Sequence, residues 1–246
     1  MPSQTQQAAH NNARWCHAVC RAHGLPGEFQ KHLWLNHFPV PRFYPNAVTL
    51  SGVEGVAEQL AAIQSLIAEG RLDRLAVKDS FCALDLAPLG FQLLFEATWL
   101  WRAPSAPEPS AEMNGIQWGA VQQPAELARW EMAWNGLAED SLELPARIFP
   151  DSLLDDDDII FSAAYRGQQI VAGTIANRTG EVVGLSNVFV PETEAARFWA
   201  GCVTAACRAF PGRPLVGYER GEELIMARQS GFESVGPLRV WAWAKS

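Results

Sequence analysis

The sequence predicts a duplicated α/β fold, on three observations. Two stretches read strand–helix–strand: Ala47–Leu50, Val53–Glu69 and Leu75–Lys78, then Gly184–Val190, Glu192–Phe210 and Pro214–Glu219. Each is followed by a Gly-Phe turn, at Gly90-Phe91 and Gly231-Phe232. Each closes on a Trp-x-Trp strand, within Leu93–Trp101 and Leu238–Trp243. A strand–helix–strand crossover makes its two strands parallel in one sheet. Ligands of such sheets sit at the carboxyl ends of the strands.

The remaining elements follow in order. Residues 1–12 are polar and read as a frayed end. Ala13–His23 reads as a helix with Trp15, Val19 and Ala22 on one face, stopped by Gly24 and Pro26. Phe38–Pro45 holds three prolines, so it is extended and cannot be an interior strand. The Pro/Ser/Ala stretch Ala103–Ala111 marks the clearest boundary. It predicts one unit over 1–104, a linker at 105–111 and a second unit over 112–246. Ile116–Val121 alternates as a strand. Pro124 opens a helix with Leu127, Trp130, Met132 and Trp134 on its apolar side. Pro145–Leu154 reads as a second, short helix. Ile159–Tyr165 and Gln169–Ile175 are hairpin strands joined at Arg166-Gly167-Gln168, and a turn at Asn177–Gly180 leads to the strand at 182–190. A short helix over Gly221–Ser230 precedes the last turn.

Composition excludes several classes. At 48% hydrophobic and 19% charged residues the chain builds a substantial core. A net charge of −8, with scattered basic residues, disfavours nucleic-acid binding. No apolar run reaches membrane-span length, and the polar N-terminus lacks a signal-peptide layout. Five cysteines, an odd number, argue against a disulfide framework and for a reducing cytoplasm.

The order from 112 onward, with Tyr165–Gly173 as a central hairpin, Leu185–Val190-Pro191 as a strand end and Ser230–Val235 before the final strand, resembles the GNAT superfamily of acyl-CoA-dependent N-acetyltransferases. The resemblance implies a mixed central sheet flanked by helices, complete in the C-terminal unit and partial in the N-terminal one. It further implies acetyl-CoA as co-substrate, a small amine as acceptor, no metal and a possible homodimer. Its pantetheine arm would lie in a gap between the strand ending Val188-Phe189-Val190 and the next strand. The diphosphate would meet the helix start at Ala195, Ala196 and Arg197, where backbone N–H groups attract anions.

The sequence departs from the family pattern at two places. The loop Pro191–Trp199 holds no glycine, and Glu192 and Glu194 place negative charge where a diphosphate would sit. The same residues also read as an ordinary helix start, with acids favoured in the first turn. The last helix has no tyrosine: the family's proton donor falls near Ala227. Tyr218 and Glu219 remain at the end of the preceding strand. Tyr218 is the candidate general acid, or a packing residue. Asn187 is the candidate for orienting a water, or for satisfying local backbone. These departures keep a second reading open, a non-catalytic GNAT-fold module that binds a ligand or protein in a degenerate acetyl-CoA site.

Other constellations are weaker. Cys16, Cys20, His17 and His23 share a helix, but a zinc site needs four converging ligands, and buried thiols explain the pair. Asp155–Asp158 lacks the glycine and terminal glutamate of a calcium loop. No phosphate-binding loop, dinucleotide fingerprint or serine nucleophile elbow is present.

Overall fold

The computed structural model describes residues 2–106, 115–137 and 146–245. Residues 107–111 of the expected linker and Pro145 of the expected second helix lie outside the described residues; the described remainder of that helix is irregular up to a 3-10 turn at Asp151–Asp155. In chain order the elements are α1 (Gln4–Ala22), β1 (Glu28–Phe29), β2 (Leu33–Leu35), β3 (Ala47–Thr49), α2 (Val56–Glu69), β4 (Arg74–Asp79) and β5 (Gln92–Arg102). Then come β6 (Ile116–Ala120), α3 (Pro124–Trp134), β7 (Ile159–Arg166), β8 (Gln169–Thr179), β9 (Val182–Phe189), α4 (Ala195–Ala209), β10 (Leu215–Glu219), α5 (Gly221–Gln229) and β11 (Glu233–Ala244). Single 3-10 turns at Val53–Gly55, Ala87–Leu89 and Asp151–Asp155 complete the list.

The chain divides into two compact units. Met1–Leu100 with Ser234–Ser246 forms one, and Trp101–Glu233 the other. The sequence places the last strand with residues 112–246. The structure pairs it instead with β4, from Arg239↔Asp79 to Ala244↔Arg74.

In the first unit the strand order is β1-β2-β3-β4-β11-β5. β3 and β4 are parallel, with Ala47↔Val77 in register, as the crossover through α2 requires. Ile63 and Leu66 of α2 pack with Leu33, Ala47, Leu75 and Val77 on one face. α1 covers the other: Trp34 Nε1 donates to His17 Nδ1 at 3.2 Å, and Lys78 Nζ to Asn12 at 2.6 Å. α1 begins nine residues before the expected Ala13. The cause is a capping box. Gln6 N–H donates to Ser3 Oγ and Ser3 N–H to Gln6 Oε1, while Ala8 and Ala9 are small enough to bury against the sheet.

In the second unit the order is β10-β9-β8-β7-β6. β6 to β9 are antiparallel neighbours, and β10 joins β9 in parallel. α3 and α4 cover opposite faces. On the α3 face the Trp130 ring meets Phe149, Phe161 and Phe189 edge-on at 5.6, 5.3 and 5.2 Å, and its Nε1 donates to the Ser162 carbonyl at 3.0 Å. On the α4 face Phe198 packs against Ala164 and Ala172. Glu131 of α3 is buried and accepts the Ile148 N–H at 2.5 Å, tying the following segment to the helix.

Gly173 of β8 lies under this aromatic cluster. A Cβ there would fall 2.5 Å from Trp130 Nε1, 2.6 Å from Phe189 Cε1 and 2.8 Å from the Ser162 carbonyl oxygen. Two of those neighbours are rigid rings and one is backbone. We expect Gly173→Ala to destabilise the fold by about 1–3 kcal/mol, the usual cost of overpacking. A urea titration that leaves the midpoint unmoved would refute this.

Candidate functional site at the β9–β10 gap

The parallel ladder between β9 and β10 is short. Its pairs are Leu215↔Val183 and Val216↔Gly184. β9 then runs on to Phe189 and β10 to Glu219, so the strands diverge toward their carboxyl ends. Gly217 stands at the point of divergence. A Cβ on it would lie 2.8 Å from the Leu185 carbonyl oxygen, so only glycine allows this approach.

β9 is also bent on its other edge. Between Gly173↔Phe189 and Ile175↔Ser186 the register shifts by one residue, a β-bulge. The bulge holds Asn187 at φ 52°. Asparagine tolerates this left-handed conformation better than most residues. Thr174, opposite the bulge, donates its hydroxyl to the Ser186 carbonyl at 3.1 Å. The Ser186 hydroxyl itself is buried with no hydrogen-bond partner among the described residues.

Pairing assigns a face to each residue along the gap. Phe161 lies against Trp130 and pairs with Ile175, which pairs with Ser186. Alternation then puts Gly184, its partner Val216, and Tyr218 on the α3 face. On the other face, the Arg178 guanidinium lies 5.7 Å from the Phe210 ring at the end of α4. Arg178 pairs with Val183 and Val183 with Leu215, so Leu215, Gly217 and Glu219 share the α4 face. Tyr218 and Glu219 thus flank the gap from opposite sides.

A parallel strand pair splayed by a bulge on its inner strand, between an α3 face and an α4 face, is a specific architecture. No protein-family model matches this sequence, and no curated protein does. Solved structures do match. A GCN5-related N-acetyltransferase from Kribbella flavida aligns over 97% of this chain and 96% of its own, with a TM-score of 0.63 at 15% identity. The chain has the GNAT fold. A second GCN5-related N-acetyltransferase, from Sphaerobacter thermophilus, aligns over 97% and 93% with a TM-score of 0.57 at 12% identity. A tandem GNAT protein from the clavulanic acid biosynthesis pathway aligns over 86% and 78%, at 0.54 and 14%.

Within this GNAT fold the remaining candidate residues take definite places. Val188 lies in the bulge beside Asn187. Phe189 turns its ring to Trp130, and Val190 packs with the Phe198 cluster. The Phe189 and Val190 side chains are thus engaged, half-buried, by the two faces of the sheet, and what they can offer a ligand is backbone. Ala195, Ala196 and Arg197 form the first turn of α4, but the helix starts three residues later than the sequence suggests. Glu192 and Glu194 consequently precede it rather than occupying its first turn. Glu194 is the N-cap, at φ 59° and without a side-chain cap bond. Its carboxylate instead pairs with Arg197 Nη1 at 2.6 Å. The N–H groups of Arg197 and Phe198 both donate to the Glu194 carbonyl. Ala227, where the family's tyrosine falls, is fully buried, and its carbonyl accepts the Phe232 N–H.

The gap and Gly217 thus fit an extended pantetheine-like chain. The helix start fits a diphosphate poorly: it is glycine-free and flanked by acids, and Glu194 engages its own cation. Among the described residues no group of three or more His, Cys, Asp or Glu is placed to hold a metal ion. Cys16 and Cys20 are buried, with thiol pKa values raised by that burial.

Glu219 has the most perturbed environment along the gap. Burial, and then the nearby Glu223 carboxylate, push its pKa up to about 8. Among the described residues it has no hydrogen-bond or ion-pair partner. Stability follows with a definite sign. Below about pH 4.5 the carboxyl is neutral both folded and unfolded; as pH rises, the unfolded chain ionises first, so folding stability falls until the folded carboxyl ionises near 8. We expect Glu219→Gln to stabilise the fold by at least about 1 kcal/mol at pH 8, and not at all near pH 4. Melting temperatures of the two proteins that run parallel from pH 4 to 8 would contradict this.

Proposed function

We propose that the chain is an acyl-CoA-dependent N-acyltransferase, with acetyl-CoA as donor and a small amine as acceptor. The observation that carries the reading is the two-pair ladder between β9 and β10, bent open at Asn187. An extended pantetheine arm fits the gap as an added strand, using β9 backbone groups from Val188 to Val190. The thioester then lies near the carboxyl end of β10. Asn187 orients a water or the thioester carbonyl there. Tyr218, on the α3 face, donates the proton to the departing thiolate, in place of the helix tyrosine that Ala227 displaces. The non-catalytic reading draws support from the acidic, glycine-free helix start and from the absence of a tyrosine in the last helix. We also read the first unit, with its own parallel β3–α2–β4 crossover, as a partial second copy.

Thermal shift with acetyl-CoA and with free CoA tests the reading. A ligand that binds only the folded state raises the melting temperature. No shift with either compound would leave the non-catalytic module as the better account.

Two variants refine it. Glu192→Gln combined with Glu194→Gly removes two charges, takes away the Glu194 carboxylate that pairs with Arg197 and places glycine at a positive-φ N-cap. Each charge removed should tighten CoA binding by a few tenths to about 1 kcal/mol, as calorimetry reads it. Unchanged or weaker binding would place the diphosphate elsewhere. Tyr218→Phe should lower turnover at least about tenfold while CoA affinity stays level, since general-acid help is worth about 10²–10⁴ in rate. Full turnover in that variant would discard the assignment.

A further inference from the structure

Amine acylation moves two protons, and a donor on the α3 face accounts for one. The ammonium formed as nitrogen attacks must lose the other. Glu219 is the last residue of β10, past the end of its ladder with β9, on the face opposite Tyr218. No side chain among the described residues bonds or pairs with its carboxyl. The residue is half-buried and its carboxyl oxygens are not sealed in the core, so the group reaches the opening rather than serving as an internal hydrogen-bond acceptor. A carboxyl left unpaired beside an opening between strands is instead available to a ligand there.

We propose that Glu219 is the general base of the transfer, accepting the proton of the attacking amine at the mouth of the β9–β10 gap. This rests on the acyl-transfer reading above. The nitrogen lone pair forms the C–N bond to the thioester carbonyl carbon. The C–S bond breaks and its electron pair leaves on sulfur. The surplus N–H proton passes to the Glu219 carboxylate, and Tyr218 gives its proton to the thiolate. Amine and thioester become amide and thiol, and solvent returns the proton from Glu219 to Tyr218.

The surroundings suit that task. Burial and Glu223 together bring the carboxyl's pKa close to working pH, where a base combines useful ionisation with useful strength. From α5 the charged neighbour is Glu223; Glu222 beside it and Arg220 before it are exposed. From β9 the neighbour on this face is Leu185, and the bulge that follows holds Asn187; neither titrates. On α4, Arg197 is held by Glu194, Arg208 lies in the last turn, and the Cys202 thiol donates to the Gly173 carbonyl. Removing the Glu223 charge must therefore lower the pKa of Glu219.

Three measurements on the full chain decide this. Calorimetry with acetyl-CoA should give affinities for the parent and Glu219→Gln within about twofold. Thiol release from acetyl-CoA, with tyramine, spermidine and glycinamide as acceptors, should show kcat rising through about pH 8 in the parent. Glu219→Gln should lose about 100-fold or more and the rising limb with it. Glu223→Gln should keep turnover and move the limb to lower pH, which a merely structural role would not do. Carboxyl carbon NMR, assigned by the signal missing in Glu219→Gln, should titrate near 8 and shift when acetyl-CoA is added. Glu219→Gln turnover within tenfold of the parent, with acetyl-CoA still bound, would overturn the role of Glu219 and leave acyl transfer standing. So would a carboxyl that titrates in the ordinary glutamate range or ignores acetyl-CoA, whether or not a tested amine is acylated. A parent that does not bind acetyl-CoA would overturn both.

Discussion

The divergence of β9 from β10 is the constraint on which the rest of the second unit depends. Two parallel strands held by two pairs cannot share a full ladder, so their backbone groups must find other partners or a ligand. The divergence is built from both sides. On one edge, Asn187 takes a left-handed conformation and inserts an extra residue opposite β8. On the other, Gly217 brings β10 against the Leu185 carbonyl before the strands part. Under the bulge, Gly173 leaves the space that Trp130 and Phe189 fill. The kink in β9 is thus clamped by a rigid aromatic cluster, and the gap is a property of the folded core rather than of a loose edge.

The electrostatics divide along the same line. Between the strands, β9 from Leu185 to Phe189 and β10 from Gly217 to Tyr218 carry no charged side chain. Charge is concentrated at the rim of the gap, in Glu192 and Glu194 before α4, in Arg197 in its first turn, and in Glu219 and Glu223 near α5. The Glu194–Arg197 pair is exposed and so contributes little to stability. Its weight is in what it denies an incoming anion, because the cation nearest the helix start already has a carboxylate. Such a rim discriminates by charge while the gap discriminates by shape, and these two filters are separable by substitution.

Much of the fold was legible in the chain. Gly and Pro punctuation bracketed the strands, and Pro124 stands at the start of α3 as its fixed φ favours. Both crossovers were readable because a helix-length apolar pattern lies between two short apolar runs. Three features were not. The early start of α1 rests on Ser3 and Gln6, a capping pair easily lost among polar residues. The late start of α4 depends on Glu194 adopting a left-handed turn, which no acidic residue advertises. The site was legible only as a region. Asn187 and Tyr218 could be named from their places near strand ends, but the face each takes follows from the register of β7 through β10. Likewise Glu219 reads as one more acid until its burial and its lack of a partner are known.

The placement of β11 bears on how the chain is made. Its partners in the ladder, Arg74 to Asp79, leave the ribosome long before Glu233 to Ala244 are translated. Until then one edge of β4 has no strand beside it, and exposed strand edges invite pairing with other chains. Residues of the second unit are all synthesised in that interval. The first unit to emerge is therefore the last to close, and the nascent chain must hold an open sheet in solution while its other half folds.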